Sequence, residues 1–481
     1  MPSPIRSSVR EPAKQTAATR SPTTALPVLE SAASMPACRK AAAAANRIVA
    51  ASDESFHNDK TINLQQSMKT SIASIALISL LCAASHAADI LTTRPLFNGK
   101  DLSGWKGEGY VVEGGSIVCT PAGHNLITEG IYANYVLDFQ FQLSAGANNG
   151  LGIHYPGTGD AAYTGMEIQV LDSTHPKYKD LKGDQFHGSL YTMAPAKQGF
   201  LKPIGEWNQQ RVTVYGPSLK VELNGEIILQ TNLDEMAQKF PQHEGVKRRA
   251  GHIGWLGHGD RVAFRNINIG ELPPPANEEG VKAAGFTKIF DGKTLTGWKT
   301  SPDTTNWTAA HGILKHNGKP GTIKDLWTEK SYGDITWVFD WRWSGRGPTL
   351  SQPIVQPDGT EKGRADVEEL DSGIYLRGSS KSQVNLWNWT VGSGEVYGYR
   401  TDGNMPADIK AGVTPKAKAD KPIGEWNRTQ ITILGDRLTV AINGQVVIRD
   451  AKLPGIPASG PIAFQHHGAA IDFANIWIKE F

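Results

Sequence analysis

Cysteine, net charge and helical periodicity are all scarce in this chain of 481 residues. The three cysteines (Cys38, Cys82 and Cys119) are too few for a disulfide framework. The formal net charge is only +2, and no basic stripe with interleaved aromatic residues occurs, which argues against nucleic acid as a partner. The one sustained apolar run, residues 72–84, is shorter than the roughly 20 residues that a membrane-spanning helix needs. We therefore expect no stable membrane span.

The first 67 residues are rich in Ala, Ser, Pro and Thr and have no apolar period. Such a segment buries too little surface to offset its chain entropy, so residues 1–67 are predicted to be disordered. A misassigned start is the alternative, because Met68 opens a different pattern.

Residues 68–87 have the features of a secretory signal peptide. A basic start at Met68-Lys69 precedes the apolar run, and Ser85-His86-Ala87 supplies small residues at the positions that a signal peptidase requires. Translation that begins at Met68 would explain the internal position, and a genuine extension with an internal anchor is the alternative. The mature chain is predicted to begin near Ala88 and to be secreted or periplasmic.

One stretch of seven residues occurs twice, and it organises the rest of the chain. Lys-Pro-Ile-Gly-Glu-Trp-Asn stands at 202–208 and again at 421–427. Each copy leads into three alternating apolar runs, the last two separated by Asn224-Gly225 or Asn443-Gly444. Period-two alternation indicates half-buried strands, and Asn-Gly between two such runs is a strong hairpin signal. The chain is therefore a duplication of one β-rich unit.

Each unit is predicted to be an all-β domain. The first covers residues 90–272 and the second residues 286–481, joined by a Pro-rich linker at 273–285. Helical periodicity is limited to about two turns at 233–240. Many short alternating strands with Gly turns favour a two-sheet antiparallel sandwich or jelly roll. The extra length of the second unit is predicted to form a loop at 345–369, which is polar and rich in Gly and Pro.

The Trp residues of the two repeated blocks are predicted to be structural. Trp207 and Trp426 stand directly before a strand, after Pro-Ile-Gly-Glu. Buried packing at a turn suits that position better than a ligand platform.

Several motifs in fixed order resemble the 3-keto-disaccharide hydrolase domain family. They are Phe-Asn-Gly-Lys-Asp-Leu-Ser-Gly-Trp at 97–105, the repeated block, the Leu-Asn-Gly turn at 223–225 and the closing Phe-Arg-Asn-Ile at 264–267. The resemblance covers nearly all of 96–271 and 286–481, so it implies two tandem copies. It further implies a concanavalin-like jelly-roll fold, a glycoside or oligosaccharide substrate and cleavage of sugars already oxidised to a ketone at carbon 3.

The strand at 166–172 of the first unit places a carboxylate and an amide on its polar side. Met166, Ile168 and Val170 alternate with Glu167 and Gln169. Four further candidates for this site come from neighbouring segments: His154, His187, Trp255 and His258. Glu167, His187 and His154 are predicted to be catalytic, and Gln169, Trp255 and His258 to bind substrate. The alternative is a solvated strand face beside hydrogen-bonded loop histidines.

The second unit differs at these positions. Gln383 stands in place of Glu167 and Asn385 in place of Gln169, and ten of the thirteen Trp lie in 286–481. Amides and indoles suit sugar hydroxyls and the apolar side of a sugar ring. The residues predicted to bind substrate here are Arg377, Gln383, Asn385, Trp387 and His467. The first unit is thus the predicted catalyst, and the second leans toward substrate binding.

The chemistry implied by the resemblance begins with the acidic hydrogen on carbon 2, next to the ketone. A base removes it, the glycosidic oxygen leaves, and water adds back; Glu167 and His187 suit the base and the acid. No cofactor is assigned. Histidines together with Glu or Asp would also suit a divalent metal that polarises the ketone. The sequence has no tight ligand spacing such as His-Glu-x-x-His, so a metal is left open. Two rivals remain: an ordinary glycosidase with paired carboxylates, for which Glu167 and Asp172 are the natural pair, and a non-catalytic, lectin-like protein.

Overall fold

The computed structural model describes residues 93–302 and 304–481. The predicted disordered segment (1–67) and signal peptide (68–87) lie outside the described residues. Within them the chain forms β-sandwiches, as the alternating runs predict. No helix in this part of the chain is long and apolar enough to cross a membrane.

The first sandwich contains the strands of residues 94–271. They are β1 (Arg94–Pro95), β2 (Trp105–Gly107), β3 (Tyr110–Glu113), β4 (Ser116–Cys119), β5 (Asn125–Thr128), β6 (Tyr135–Leu143), β7 (Asn148–Tyr155), β8 (Met166–Leu171), β9 (Trp207–Tyr215), β10 (Ser218–Leu223), β11 (Glu226–Asn232), β12 (His252–Leu256) and β13 (Val262–Glu271). Two short helices, α1 (Ala161–Thr164) and α2 (Leu233–Lys239), lie between them, with 3₁₀ turns at Pro176–Tyr178, Gly183–Gln185 and Gly245–Lys247.

The second sandwich repeats this order. Its strands are β14 (Thr287–Lys288), β15 (Trp307–Ala310), β16 (Ile313–Asn317), β17 (Leu326–Tyr332), β18 (Ile335–Trp343), β19 (Thr349–Val355), β20 (Glu361–Glu368), β21 (Asp371–Leu376), β22 (Ser379–Trp387), β23 (Asn427–Leu434), β24 (Arg437–Ile442), β25 (Gln445–Lys452), β26 (Gly460–Phe464) and β27 (Ala470–Glu480). Helix α3 (Glu278–Ala283) precedes it, and α4 (Tyr397–Arg400) and α5 (Ala407–Gly412) lie within it.

Each sandwich packs one large antiparallel sheet on a smaller one. In the first, the order β11-β10-β9-β6-β13-β4-β3, with β1 beside β13, faces the five-stranded sheet β2-β5-β12-β7-β8. In the second, β15-β16-β27-β18-β23-β24-β25, with β14 beside β27, faces the four-stranded sheet β17-β26-β21-β22. The inward side chains of both sheets form the core, as aligned sandwiches require.

The repeated block forms the same hairpins in both sandwiches, as predicted. Asn224 and Gly225 have φ of 52° and 93°, and Asn443 and Gly444 have φ of 51° and 82°. Positive φ at both central residues matches the right-handed twist of the flanking strands. The strand predicted at 166–172 and the helix predicted at 233–240 are likewise confirmed to within one residue, as β8 and α2.

The extra length of the second unit is not a loop. Residues 345–369 were predicted to be irregular, but β19 and β20 pair there as a two-stranded antiparallel ribbon. β20 is mostly polar, and nearly all residues of both strands are exposed or half-buried, so the ribbon lacks the apolar alternation that marks a half-buried strand.

A buried charge cluster joins the two sandwiches. Arg342 of β18 is almost fully buried, and its guanidinium contacts Asp472 at 2.8 Å and also Glu271, the last residue of β13. Lys315 lies 2.8 Å from the Glu271 carboxylate. Burial alone would raise the pKa of Glu271, but Lys315 and Arg342 lower it to about 2. The Glu271 carboxylate therefore stays ionised at neutral pH.

The two repeated Trp residues differ in burial because only one lies at this junction. Trp426 is buried with Ile131 and Ala250 of the first sandwich, as predicted. Trp207 is only half-buried, with the Arg265 guanidinium 3.9 Å from its ring centre. We expect Trp426→Ala to lower the free energy of unfolding by about 3–5 kcal/mol, as for a buried Trp, and Trp207→Ala to lower it by clearly less. Denaturant unfolding of both variants is the measurement, and equal losses would contradict this explanation.

Candidate functional site

Corresponding strands of the two smaller sheets pair in the same register. Gly150 of β7 pairs with Gln169 of β8, and Gly373 of β21 pairs with Asn385 of β22. The same register sets Glu167 opposite Gly152 and makes Gln383 its counterpart. The sequence alignment of Glu167 with Gln383 therefore agrees with the strand pairing.

Glu167 lies on the side of the five-stranded sheet that faces away from the core. Its neighbours Met166 and Ile168 belong to the main core, so alternation turns Glu167 outward. The carboxylate extends over Gly150, where a Cβ atom would meet Glu167 Oε1 at 2.0 Å. Any side chain at residue 150 would displace the carboxylate from this position.

The Glu167 carboxyl group is buried without compensation. The residue is 5% exposed, and Oε1 has no hydrogen-bond partner among the described residues. Burial, and secondarily the nearby charge of Asp160, raises its pKa to about 8. A carboxyl group with this pKa changes protonation near physiological pH, which is the property required of a general base or acid.

The first polar face consists of Glu167, Gln169, Asn148, Gly150 and Gly152. Gln169 is buried and its Nε2 donates to Asn148 Oδ1 at 2.7 Å. The Glu167 side chain covers Gly150 and the Leu256 side chain covers Gly152, so the carboxyl and amide groups pack closely over the two glycines.

His258 and Asp160 lie close to this face. His258, after β12, is exposed, and partial desolvation lowers the pKa of its imidazole while Asp260 and Asp160 act in the opposite direction. Asp160 caps α1 by accepting from Ala162 N at 3.0 Å. Asp160 influences both Glu167 and His258, so the three groups share one neighbourhood.

His187 is not part of this face, which corrects the predicted pairing with Glu167. Its ring is fully buried and stacks on Phe141 of β6, 5.0 Å between centroids, so it lies between the two sheets. Its Nδ1 accepts from Leu171 N at 3.2 Å, and burial lowers its pKa to about 4. In the second sandwich Ser393 accepts the corresponding bond from Trp387 N. In both sandwiches this position therefore supplies a hydrogen-bond acceptor for the backbone N–H at the end of the strand, and it has no need of a proton donor.

Trp255 is also a core residue rather than a substrate contact. Its ring is fully buried and stacks on Phe264 at 3.7 Å. The corresponding residue of the second sandwich, Phe464, stacks on Phe473 at 3.9 Å. An aromatic residue at this position fills the space between the sheets in both copies.

His154 and Arg377 occupy one equivalent position, and neither reaches a polar face. Both have φ of 51°, and both are buried. His154 Nε2 lies 3.4 Å from Ala133 O, and burial lowers its pKa to about 4. The Arg377 guanidinium donates to Gly333 O, Gly435 O and Pro457 O and pairs with Asp334. Both side chains secure connections at the sheet end.

The second polar face does assemble the predicted amides. Gln383 Nε2 donates to Asn385 Oδ1 and to Gln465 Oε1, both at 2.8 Å. Gln465 Nε2 in turn donates to the Tyr375 hydroxyl at 2.9 Å. Gly373 repeats the role of Gly150, because a Cβ there would meet Gln383 Nε2 at 2.4 Å.

Trp387 and His467 lie along the same face. Trp387 is buried, donates to Gly392 O and stacks on the half-buried Trp389 at 4.0 Å, so Trp389 rather than Trp387 is accessible. His467 is exposed and its Nδ1 lies 3.0 Å from Asp371 Oδ2, which raises the pKa of the imidazole.

Sequence reasoning missed Asp160 on the first face and Tyr375, Gln465, Trp327 and Asp371 on the second. Asp371 and Tyr375 lie four residues apart in the Asp-Ser-Gly-Ile-Tyr segment, and alternation alone would have placed them on one side of β21. Asp160 carries no such signal, because it belongs to a loop.

The paired-carboxylate alternative receives no geometric support from Asp172. Its oxygens accept from Gly146 N at 2.7 Å and from the Thr174 hydroxyl at 2.6 Å. This carboxylate is committed to the turn after β8, and its pKa is lowered accordingly, because the Thr174 and Gly146 hydrogen bonds outweigh burial.

Metal ligation was left open by the sequence. Among residues 93–302 and 304–481, no group of three or more His, Cys, Asp or Glu side chains is arranged to hold a metal ion.

Fold and side chains together define an all-β protein of two concanavalin-like sandwiches, each with a polar face on its smaller sheet. Residues 92–270 and 285–479 both match the 3-keto-alpha-glucoside-1,2-lyase-like domain family. The chain belongs to this family, in two tandem copies, as its motifs predict.

The chain also resembles individual proteins, at sequence identities of 15–28%. A 3-keto-disaccharide hydrolase from Bacteroides thetaiotaomicron is 28% identical over 221 residues, which cover 36% of this chain and 76% of the relative. A candidate glycosyl hydrolase from Parabacteroides distasonis is similar in structure, with 26% identity, a TM-score of 0.35, and coverage of 38% of this chain and 100% of that one. A carbohydrate binding module from Bacillus subtilis has 15% identity, a TM-score of 0.27, and coverage of 39% and 98%. The family and the curated relative indicate a carbohydrate-active hydrolase.

Proposed function

We propose that the protein cleaves 3-keto-glycosides at the first polar face, with Glu167 as the base. The observation that carries this proposal is the buried Glu167 carboxyl group, whose Oε1 has no partner and whose pKa is raised to about 8. A carboxylate with a purely structural role normally has a charged or hydrogen-bonding partner or is exposed to water. A buried carboxylate without such a partner is instead suited to act on a ligand. The substrate class comes from the family and its curated relative.

The reaction proceeds by elimination followed by hydration. Glu167 accepts the proton on sugar carbon 2, and the electrons of that C–H bond form a double bond between carbons 1 and 2. The bond from carbon 1 to the glycosidic oxygen breaks, and that oxygen leaves as an alcohol after it takes up a proton. Water then adds its hydroxyl to carbon 1 and its hydrogen to carbon 2, so the net change is hydrolysis.

In this scheme the His258 imidazole transfers protons between the site and the solvent. Because its pKa is lowered by desolvation, its imidazole is neutral at pH 7 and can both accept and donate a proton. It replaces His187, which lies in the core, as the second titratable group of the site. The charge of the neighbouring Asp160 contributes to the raised pKa of Glu167 and so makes its carboxylate a stronger base.

The pH dependence of turnover tests the role of Glu167. A base must be ionised, so kcat should rise with pH and level off above about pH 8, following the pKa of the carboxyl group. Steady-state rates on a 3-keto-glucoside between pH 5 and 9.5 provide the measurement. A rate that falls through pH 8 would mean that Glu167 acts in its protonated form, as an acid.

A further inference from the structure

The second polar face carries groups that packing does not require. Trp327 is half-exposed, and its ring is nearly parallel to that of Tyr375, 5.3 Å between centroids and 9° between planes. Neither ring belongs to the main core of the second sandwich. In the first sandwich the corresponding positions hold Ile127 and Gly152, so this sheet folds without an aromatic pair there.

A carboxylate beside these rings is only half satisfied. Asp371 Oδ2 pairs with His467, but Oδ1 is buried and has no hydrogen-bond partner among the described residues. An unpartnered buried acceptor costs free energy that a ligand donor would recover. The corresponding residue of the first sandwich, Asn148, is instead bonded to Gln169.

The remaining polar groups hold these side chains in place. The Gln383–Asn385–Gln465 amides are bonded to one another, and Gln465 also donates to the Tyr375 hydroxyl. This network orients Tyr375 and thereby supports Trp327. The arrangement is preorganised, so a ligand would not have to order it.

The β19–β20 ribbon, which the first sandwich lacks, adds to one border of this face. Gln352 of β19 donates to Glu369 Oε2 at 2.9 Å, and Trp389 Nε1 donates to the same oxygen at 3.0 Å. Glu369 is close enough to His467 to favour its protonated form. The Trp327 and Tyr375 rings, the amide network and the Asp371 and Glu369 carboxylates therefore surround one patch of the second polar face.

We propose that the second sandwich binds a sugar ring at this patch, separately from the reaction site. The Trp327 ring stacks against the apolar face of one pyranose, and the Asp371 carboxylate and His467 imidazole contact its hydroxyl groups. The proposal rests on the proposed function for its choice of a sugar as ligand. It assigns no bond cleavage to this patch.

Sugar titration of the full chain tests the proposal, with methyl α-D-glucopyranoside as the probe. The Glu167→Gln variant serves as the parent, so that catalysis at the first face does not interfere. We expect Trp327→Ala and Asp371→Asn, each in that background, to weaken binding at least tenfold in calorimetry or saturation-transfer NMR. Asp371→Asn preserves side-chain volume, so it keeps the test valid even where Trp327→Ala disturbs folding. The matched control, Ile127→Ala at the corresponding position of the first sandwich, should retain the parent affinity at this patch.

Two outcomes would overturn the proposal. Either both variants bind the probe as tightly as their parent, or Trp327→Ala made in the natural chain lowers kcat on a saturating 3-keto-glucoside as much as Glu167→Gln does. The second result would make the patch part of the reaction site. Failure of the proposed function looks different, because Glu167→Gln would then retain turnover whatever the second face binds.

Discussion

Glu167→Gln should lower the turnover of a 3-keto-glycoside at least a hundredfold. A general base commonly contributes 10²–10⁴-fold in rate, equivalent to roughly 3–5 kcal/mol of barrier. The substitution keeps the shape of the side chain and its hydrogen-bonding capacity but removes the group that titrates near pH 8. It also makes the first sandwich match the second, in which Gln383 occupies the corresponding position and lies over Gly373 as Glu167 lies over Gly150. The fold and the sugar affinity should therefore stay close to those of the parent.

The control for this prediction is Gln383→Ala, which alters the corresponding strand position of the second sandwich. It should retain turnover, because no titratable group is lost there. Rates for both variants are measured on a 3-keto-glucoside at pH 8, alongside the unoxidised glucoside. Full activity in Glu167→Gln together with lost activity in Gln383→Ala would assign catalysis to the second sandwich.

Arg342→Ala should cause the largest loss of stability among single charge deletions at the junction. The guanidinium is 2% exposed and faces both Asp472, which is 1% exposed, and Glu271. Its removal leaves the Asp472 and Glu271 carboxylates with the more exposed Lys315 and Arg94 side chains as their counter-charges. Breaking a buried pair from one side typically costs about 3–5 kcal/mol, because the remaining charge keeps its desolvation penalty.

An exposed ion pair that also contains an arginine provides the comparison. Arg261 lies 2.9 Å from Glu113, with more than half of both side chains exposed. Surface pairs of this kind contribute about 0–1 kcal/mol, so Arg261→Ala should be nearly neutral. Chemical denaturation of the two variants would refute this account of the junction if both lost the same stability.

The fold could be predicted because its signals are local and occur twice. The Asn-Gly turns and the alternating runs after each repeated block specify three strands of each large sheet, and the structure contains them. The ribbon at 349–368 could not be predicted, since its largely exposed strands pair with each other and not with a strand of either core sheet.

The site could be predicted only where alternation decides the direction of a side chain. Glu167, Gln169, Gln383 and Asn385 lie on strands, and their outward orientation follows from their apolar neighbours. His187 and Trp255 were misplaced for different reasons. His187 lies in a loop that folds back between the sheets, and Trp255 has glycine on one side, so no alternation marked its inward direction. The unpartnered oxygens of Glu167 and Asp371 are visible only once the packing is known.

The central claim is that the reaction begins by removal of the carbon 2 proton at Glu167. Its most direct test compares the initial rates of the natural chain on a 3-keto-glucoside that carries hydrogen or deuterium at carbon 2. Where removal of the carbon 2 proton limits the rate, the deuterated substrate should react more slowly by a primary isotope effect. Equal rates in single-turnover experiments, where product release does not contribute, would contradict proton abstraction and favour direct displacement at carbon 1.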